Sequence, residues 1–304
     1  MQTITIDTQN TTYQMGVTEN GTLLHLYYGA RADGDMSYAL TSYDRGFSGS
    51  PYDAGDDRTF SLDVLPQEYP VYGTGDYRAP ALNFHNAEGT QGCDLRYRSH
   101  RFQTGKYQIE GLSAVYADDD ESQTLEILLE DQAAGVEVTL RYGILQENDV
   151  ITRSAVIRNT GETDIILDKA FSSSLDFLSG SYDWIHFDGR HGMERIPQRE
   201  AVTTGRKSIG SIRGTSSHQY NPFIMITGPD TTEDHGDCWG MSFLYSGNFK
   251  SEAEKDQFGL TRIGMGLQDE MFNYPLAPGE VLETPDWVTG LSTRKKWADR
   301  FQIL

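Results

Sequence analysis

Between residues 124 and 142 the chain repeats one pattern. Thr-Leu-Glu-Ile-Leu-Leu-Glu at 124–130 and Val-Glu-Val-Thr-Leu-Arg-Tyr at 136–142 both alternate apolar with polar residues. That period of two belongs to strands with one buried and one wet face. Ala134-Gly135 supplies a turn between them, so the pair reads as a hairpin. The same alternation marks strands at residues 3–6, 12–17, 94–100, 150–159 and 164–177, then at 223–227, 238–245, 261–267 and 281–284. Asn20-Gly21 reads as a tight turn into a partner strand at 23–28, and Leu276-Ala-Pro-Gly-Glu as another turn. No apolar period of helical type runs beyond about ten residues. Many strands at short spacing with Gly and Asn turns make an all-β chain, a large sandwich of stacked antiparallel sheets. At 304 residues it is long enough for one big core or two smaller ones.

Two stretches break the pattern. Residues 29–80 lose their period, as do most of residues 182–223. Unstructured loops of that length are uncommon in compact domains and are usually functional or disordered. The second stretch holds Trp184, His186, His191, His218, Tyr220 and Phe223, which is not the composition of a disordered linker. It is also a basic island, with Arg190, Arg195, Arg199, Arg206, Lys207 and Arg213 in a chain of net charge −20. It is expected to be a loop that crosses a subunit surface or borders a ligand site. The last residues, Arg294 to Leu304, read as a short amphipathic helix without a cap.

The balance of 45 Asp and Glu against 25 Lys and Arg argues against nucleic acid or an anionic membrane as a partner. Cys93 and Cys238 lie far apart and read as two free thiols, which fits a reducing cytoplasm. No leader-like start and no apolar run of membrane-spanning length are seen, so a cytoplasmic protein is expected. The histidines are scattered, no Cys or His pair has zinc spacing, and neither a nucleophile elbow nor a nucleotide-binding glycine loop is present. No metal or cofactor is therefore expected. A sugar site uses aromatic faces with Asp and Arg side chains that bond hydroxyls. Trp184 and Trp239 offer the former, and Asp44 and Arg58 the latter.

The pieces Ser42-Tyr-Asp-Arg-Gly-Phe47, Asp57-Arg-Thr-Phe-Ser-Leu-Asp63, Leu65-Pro-Gln-Glu-Tyr-Pro70 and Asp76-Tyr-Arg-Ala-Pro-Ala81 occur in that order. They are followed by Asp94-Leu-Arg-Tyr97, Tyr182-Asp-Trp-Ile-His186, Ser216-Ser-His-Gln-Tyr-Asn-Pro-Phe223 and Tyr245-Ser-Gly-Asn-Phe249. Together these pieces resemble the N-terminal domain of the microbial α-galactosidases of glycoside hydrolase family 36, over about residues 20–285. The resemblance implies a β-supersandwich, of galactose-mutarotase-like architecture, ahead of a (β/α)8 barrel and a small C-terminal β-domain. It implies a retaining hydrolysis of α-1,6-galactosides such as melibiose, raffinose and stachyose, with both catalytic aspartates on the barrel. It also implies a homo-oligomer, a tetramer in the bacterial enzymes, in which this domain completes a neighbour's active site. Asp44 and Arg58 match the positions that do so and are expected to contact substrate.

The chain departs from the family pattern in carrying neither the Lys-x-Asp-x-Asn segment of the nucleophile nor the Trp-Glu segment that opens the barrel. The expectation is thus a supersandwich over residues 1–286, a short tail over 287–304, and no catalytic residue in this chain. It would act as scaffold and oligomerisation domain, with α-galactoside oligosaccharides as ligands. Two other readings stand beside this one. A non-catalytic carbohydrate-binding module would bind galactose by itself. A mutarotase-type epimerase would need a histidine and a carboxylate converging in one pocket.

Overall fold

The computed structural model describes residues 1–41, 43, 49, 60–178 and 180–292. The chain enters through β1 (Gln2–Asp7), β2 (Thr11–Val17) and β3 (Leu23–Ala30). After two 3-10 turns at Met36–Ala39 and Leu62–Val64 come β4 (Leu82–Asn86), β5 (Arg96–Thr104), β6 (Ser122–Asp131), β7 (Val136–Leu145), β8 (Val150–Asn159) and β9 (Ile165–Phe177). Next are β10 (Asp183–Arg190), β11 (Met193–Ala201), β12 (Gly205–Gly210), β13 (Tyr220–Thr227) and β14 (Cys238–Phe243). The last are β15 (Phe249–Lys255), β16 (Thr261–Leu267), β17 (Tyr274–Leu276), β18 (Val281–Glu283) and β19 (Trp287–Ser292).

These strands form three antiparallel sheets. The smallest is β1-β2-β3. The largest has ten strands in the order β11-β10-β13-β14-β19-β8-β7-β6-β5, with β18 also paired to β8. A six-stranded sheet runs β12-β15-β16-β9-β17, with β4 also on β9. One hydrophobic core joins residues of all three, among them Ile4 and Met15, Ile127 and Ile157, and Phe171 and Ile263. The all-β supersandwich expected from the sequence is the observed fold.

Local sequence explains much of this. β7 alternates buried and half-buried positions along most of its length, as its pattern requires. β9 is buried at every position from Ala170 to Phe177, because sheet and core cover both of its faces there. Gly264 and Gly266 on β16 make room for Phe171. A Cβ on Gly266 would stand 2.3 Å from the Phe171 Cα, beside the bulge in the pairing of β16 with β9. The turn after β2 is longer than a two-residue loop. Thr18 donates its N–H to the Thr22 carbonyl at 3.0 Å, and Gly21 takes φ +80°.

The structure corrects two expectations. Residues 182–223 are not one long loop but contain β10, β11, β12 and the start of β13. β11 pairs only with β10, at the edge of the large sheet, and nearly all of its residues are exposed. A strand wet on both faces needs no apolar alternation, so its sequence shows none. Pro197 fits there because an edge strand tolerates a missing N–H. The second correction concerns residues 287–292, expected to begin a tail. Trp287–Ser292 lies inside the large sheet, between β14 and β8. Trp287 is 1% exposed. Just before it, Asp286 pairs with Lys106 Nζ at 2.8 Å and accepts from the Tyr107 hydroxyl at 2.5 Å. The expected helix from Arg294 lies outside the described residues. Among the described residues, no helix is long and apolar enough to cross a membrane.

A polar knot ties the three sheets together. Arg153 of β8 donates to the Tyr13 hydroxyl of β2 at 2.9 Å and to the Ser174 carbonyl of β9 at 2.7 Å. Its Nη2 meets Glu68 Oε1 at 2.6 Å. That carboxylate also accepts from the Tyr13 and Tyr142 hydroxyls at 2.6 and 2.7 Å and lies 3.2 Å from His25 Nδ1. Glu68 is 0% and Arg153 2% exposed. Burial alone would raise the carboxyl pKa. The Arg153 charge and the bonds from His25 and Tyr13 outweigh it and hold Glu68 below the ordinary carboxylate value.

Three outcomes follow. Glu68→Gln or Arg153→Met, each leaving a buried partner unpaired, is expected to cost about 3–5 kcal/mol of unfolding free energy, read by urea denaturation. A depressed folded-state pKa gives stability that is present above the ordinary carboxylate pKa of about 4.3 and lost as pH falls through the folded value. Melting temperature should therefore drop more steeply below about pH 4 in the native chain than in Glu68→Gln. Lastly, a chain ended at residue 286 should lose cooperative thermal unfolding by circular dichroism, whereas one ended at 292 should keep it.

Candidate functional site

Asp44 and Arg58 lie outside the described residues. Tyr43 stacks on Phe258, with ring centroids 5.5 Å apart and planes at 20°. Gly49 lies against Gly75, where a Cβ added to Gly49 would come 3.2 Å from the Gly75 Cα. Phe60 packs on a small cluster of Leu24, Leu26, Leu62 and Leu65. Residues 61–71 are buried throughout.

Below this cluster sits a second ionic knot, made from the sequence pieces at 65–70 and 76–81. Arg262 of β16 reaches Asp176 of β9 at 2.7 Å and Asp76 at 2.8 Å. Arg78 binds Asp76 at 2.9 Å and donates to the Leu62 and Leu65 carbonyls at 2.9 and 2.6 Å. Gln67 Nε2 donates to Asp76 Oδ2 at 2.6 Å. Burial would raise the Asp76 pKa, but Arg262 and Arg78 hold it below the usual range. Among the described residues these acceptors and donors are satisfied from within, and the knot fixes residues 62–79 to the six-stranded sheet.

The two tryptophans do not present faces for stacking. Trp184 is 2% exposed and belongs to the core. Trp239 donates Nε1–H to the Tyr28 carbonyl at 3.2 Å and packs edge-on against Phe177, with centroids 5.1 Å apart. Both cysteines are free and buried. Burial pushes the Cys238 thiol up to about 12, so it is a protonated, inert packing group at neutral pH.

Among the described residues, histidine–carboxylate contacts, not assignable from sequence, occur at three places. His25–Glu68 is sealed inside the first knot. His85 Nδ1 meets Asp168 at 2.9 Å on the six-stranded sheet. His186 Nε2 stands 3.8 Å from Glu200 at the base of the β10–β11 hairpin. There a cavity of about 540 Å³ opens between β10, β11 and β13 on one side and β12 on the other. Lys207 reaches Glu200 at 2.5 Å and, by this bond and its charge, holds that carboxyl below its ordinary value. His186 and Glu200 stand beyond hydrogen-bond distance of each other, and Glu200 is bound to Lys207 instead. Half of the basic island is ion-paired among the described residues: Arg199 binds Asp183 at 2.7 Å, Arg206 binds Glu254 at 3.1 Å, and Lys207 binds Glu200.

Comparison with known proteins accounts for the fold and for the order of the motifs. The family model described as the glycosyl hydrolase family 36 N-terminal domain matches residues 21–277. The bifunctional alpha-galactosidase/sucrose kinase AgaSK of Mediterraneibacter gnavus is 54% identical over 288 residues, 95% of this chain and 31% of that protein. Alpha-galactosidase AgaA of Geobacillus stearothermophilus is 44% identical over 278 residues, 91% of this chain and 38% of that protein. The chain thus spans roughly a third of the length of these relatives. Among solved structures, the galactosidase domain of AgaSK superposes with a TM-score of 0.93 at 53% identity, over 96% of this chain and 40% of that one. AgaA in complex with raffinose gives a TM-score of 0.93 at 42% identity, over 97% and 41% of the two chains. On this evidence the chain belongs to the glycosyl hydrolase family 36 N-terminal domain family.

Proposed function

We propose that this chain is the N-terminal scaffold and oligomerisation domain of an α-galactosidase acting on terminal α-1,6-galactosides by a retaining mechanism. The observation that carries the reading is the 54% identity to a bifunctional α-galactosidase over 95% of this chain. Structures of AgaA variants in complex with raffinose and stachyose support galacto-oligosaccharides as the ligand class. In this reading both catalytic carboxylates belong to a barrel segment, and this chain by itself does not hydrolyse galactosides. Asp44 and Arg58 contact galactoside in the active site of a neighbouring subunit. A carboxylate and a guanidinium suit that role, since together they accept from and donate to adjacent hydroxyls. A homo-oligomer, the tetramer that the family resemblance implies, belongs to this reading, because the site would be shared across subunits. Two buried free thiols support a reducing, cytoplasmic setting.

The folded 304-residue chain is expected to show no turnover of p-nitrophenyl α-galactoside; turnover that copurifies with it would place a complete site within this chain and sink the scaffold reading. In the enzyme assembled with its barrel, Asp44→Ala should raise KM for raffinose roughly tenfold or more, the worth of a charged hydrogen bond to substrate. An unchanged KM would remove Asp44 from the substrate.

A further inference from the structure

Ion pairs account for only half of the basic island. Arg190, Arg195 and Arg213 meet no carboxylate among the described residues, although the chain carries a net charge of −20. Arg190 donates to the Met193 sulfur at 3.3 Å. Arg195 and Arg213 instead line one cavity of about 700 Å³. Edge strand β11 supplies Glu194 and Arg195 to it, and the connector from β12 to β13 supplies Arg213, Ser216, Ser217 and His218. We propose that this cavity binds the phosphate group of a small phosphate monoester.

The connector is fixed by its own bonds and by residues 246–248. Gly214 N–H donates to Asn248 Oδ1 at 2.6 Å, and Ser216 N–H to the Ser246 carbonyl at 2.7 Å. The Ser211 hydroxyl donates to the Thr215 carbonyl at 2.6 Å. The sequence pieces at 216–223 and 245–249 thus meet beside the cavity. These bonds occupy backbone groups and leave the side chains of Arg213, Ser216 and His218 without a partner among the described residues. Ser217 Oγ accepts the Gln219 N–H at 3.2 Å, so its own O–H is left to donate. Arg195, Arg213 and His218 are exposed, so a ligand in the cavity can reach them. Among the described residues Glu194 is the only carboxylate of the lining, and it accepts the Gly192 N–H at 2.9 Å.

The wall selects the ligand by charge and by donor count. A guanidinium only donates, through five N–H groups in a planar fork, and hydroxyls and an imidazole donate beside it. The complement is an anion rich in acceptors. A phosphate monoester carries about −1.5 to −2 charge at neutral pH and three terminal oxygens, enough for two forks and a hydroxyl together. A carboxylate has two oxygens, and one fork occupies both. A neutral hydroxylated ligand leaves both guanidinium charges uncompensated. A long polyanion is repelled by the acidic remainder of the chain. The cavity volume lies in the range of small-molecule sites. The site consists of this chain's residues alone and stands whether or not Asp44 and Arg58 touch galactoside.

Isothermal titration of the folded 304-residue chain with inorganic phosphate, phenyl phosphate and sodium acetate at low ionic strength tests the site. Both phosphates are expected to saturate it with a Kd of roughly 0.1–1 mM, and acetate to bind at least tenfold more weakly. Arg213→Ala and Arg195→Gly should each weaken phosphate binding about tenfold, through loss of a charged hydrogen bond. Glycine suits position 195, where φ is +57°. Arg158→Ala removes an exposed arginine of β8 that likewise meets no carboxylate among the described residues, and should leave binding intact. Circular dichroism confirms folding, and if one of the two cavity variants is unfolded the other decides. Solvated surface arginines without a site would show as no saturable phosphate binding up to about 10 mM. That result, acetate bound as tightly as phosphate, full affinity in a folded cavity variant, or an equal loss in Arg158→Ala would overturn the proposal.

Discussion

One guanidinium holds the three sheets in register. Arg153 lies on the core face of β8, in line with Ile151, Ala155 and Ile157, where alternation alone would place an apolar side chain. It bonds the small sheet through Tyr13, the six-stranded sheet through the Ser174 carbonyl, and the connector through Glu68. A buried ion pair gives little net stability against a hydrophobic replacement, yet removing one partner is severe. Its consequence here is positional: each sheet is committed to one placement against the other two. The alternation within each strand builds the sheets, and the knot restricts how they stack.

The second knot applies the same physics with equally buried charges. Asp76, Arg78, Asp176 and Arg262 fasten the connector between β3 and β4 to the end of the six-stranded sheet. Among its described residues this connector has only two short 3-10 turns, and charged side chains fasten it where backbone ladders do not. The motif pieces at 65–70 and 76–81 therefore have a structural meaning in this chain: Gln67, Asp76 and Arg78 bond one another and the Leu62 and Leu65 carbonyls.

The expectations that failed share a cause. β11 is exposed on both faces, so it carries no apolar signal, and residues 182–223 read as loop. β12, an edge strand, is short and mostly wet. β19 reads Trp-Val-Thr-Gly-Leu-Ser and looks like the start of a tail because its partners β8 and β14 lie far away in sequence. Trp184 and Trp239 look available to a sugar from composition, but burial and the Trp239 bond to Tyr28 commit them to packing.

The sequence by itself determined the class of fold, the first hairpin, the meander from β6 to β8, and the family, through ordered motif pieces whose joint occurrence is specific. Local alternation and turn chemistry act over a few residues, so they are legible in one dimension. Tertiary structure alone decided which strands are neighbours, that Trp287–Ser292 completes the large sheet, and that Arg153 faces inward to Glu68. It also brought Trp184, His186, Asp188 and Lys207 around one cavity. These depend on pairing between residues tens to hundreds of positions apart, and no local period records which distant strand will lie beside a given one.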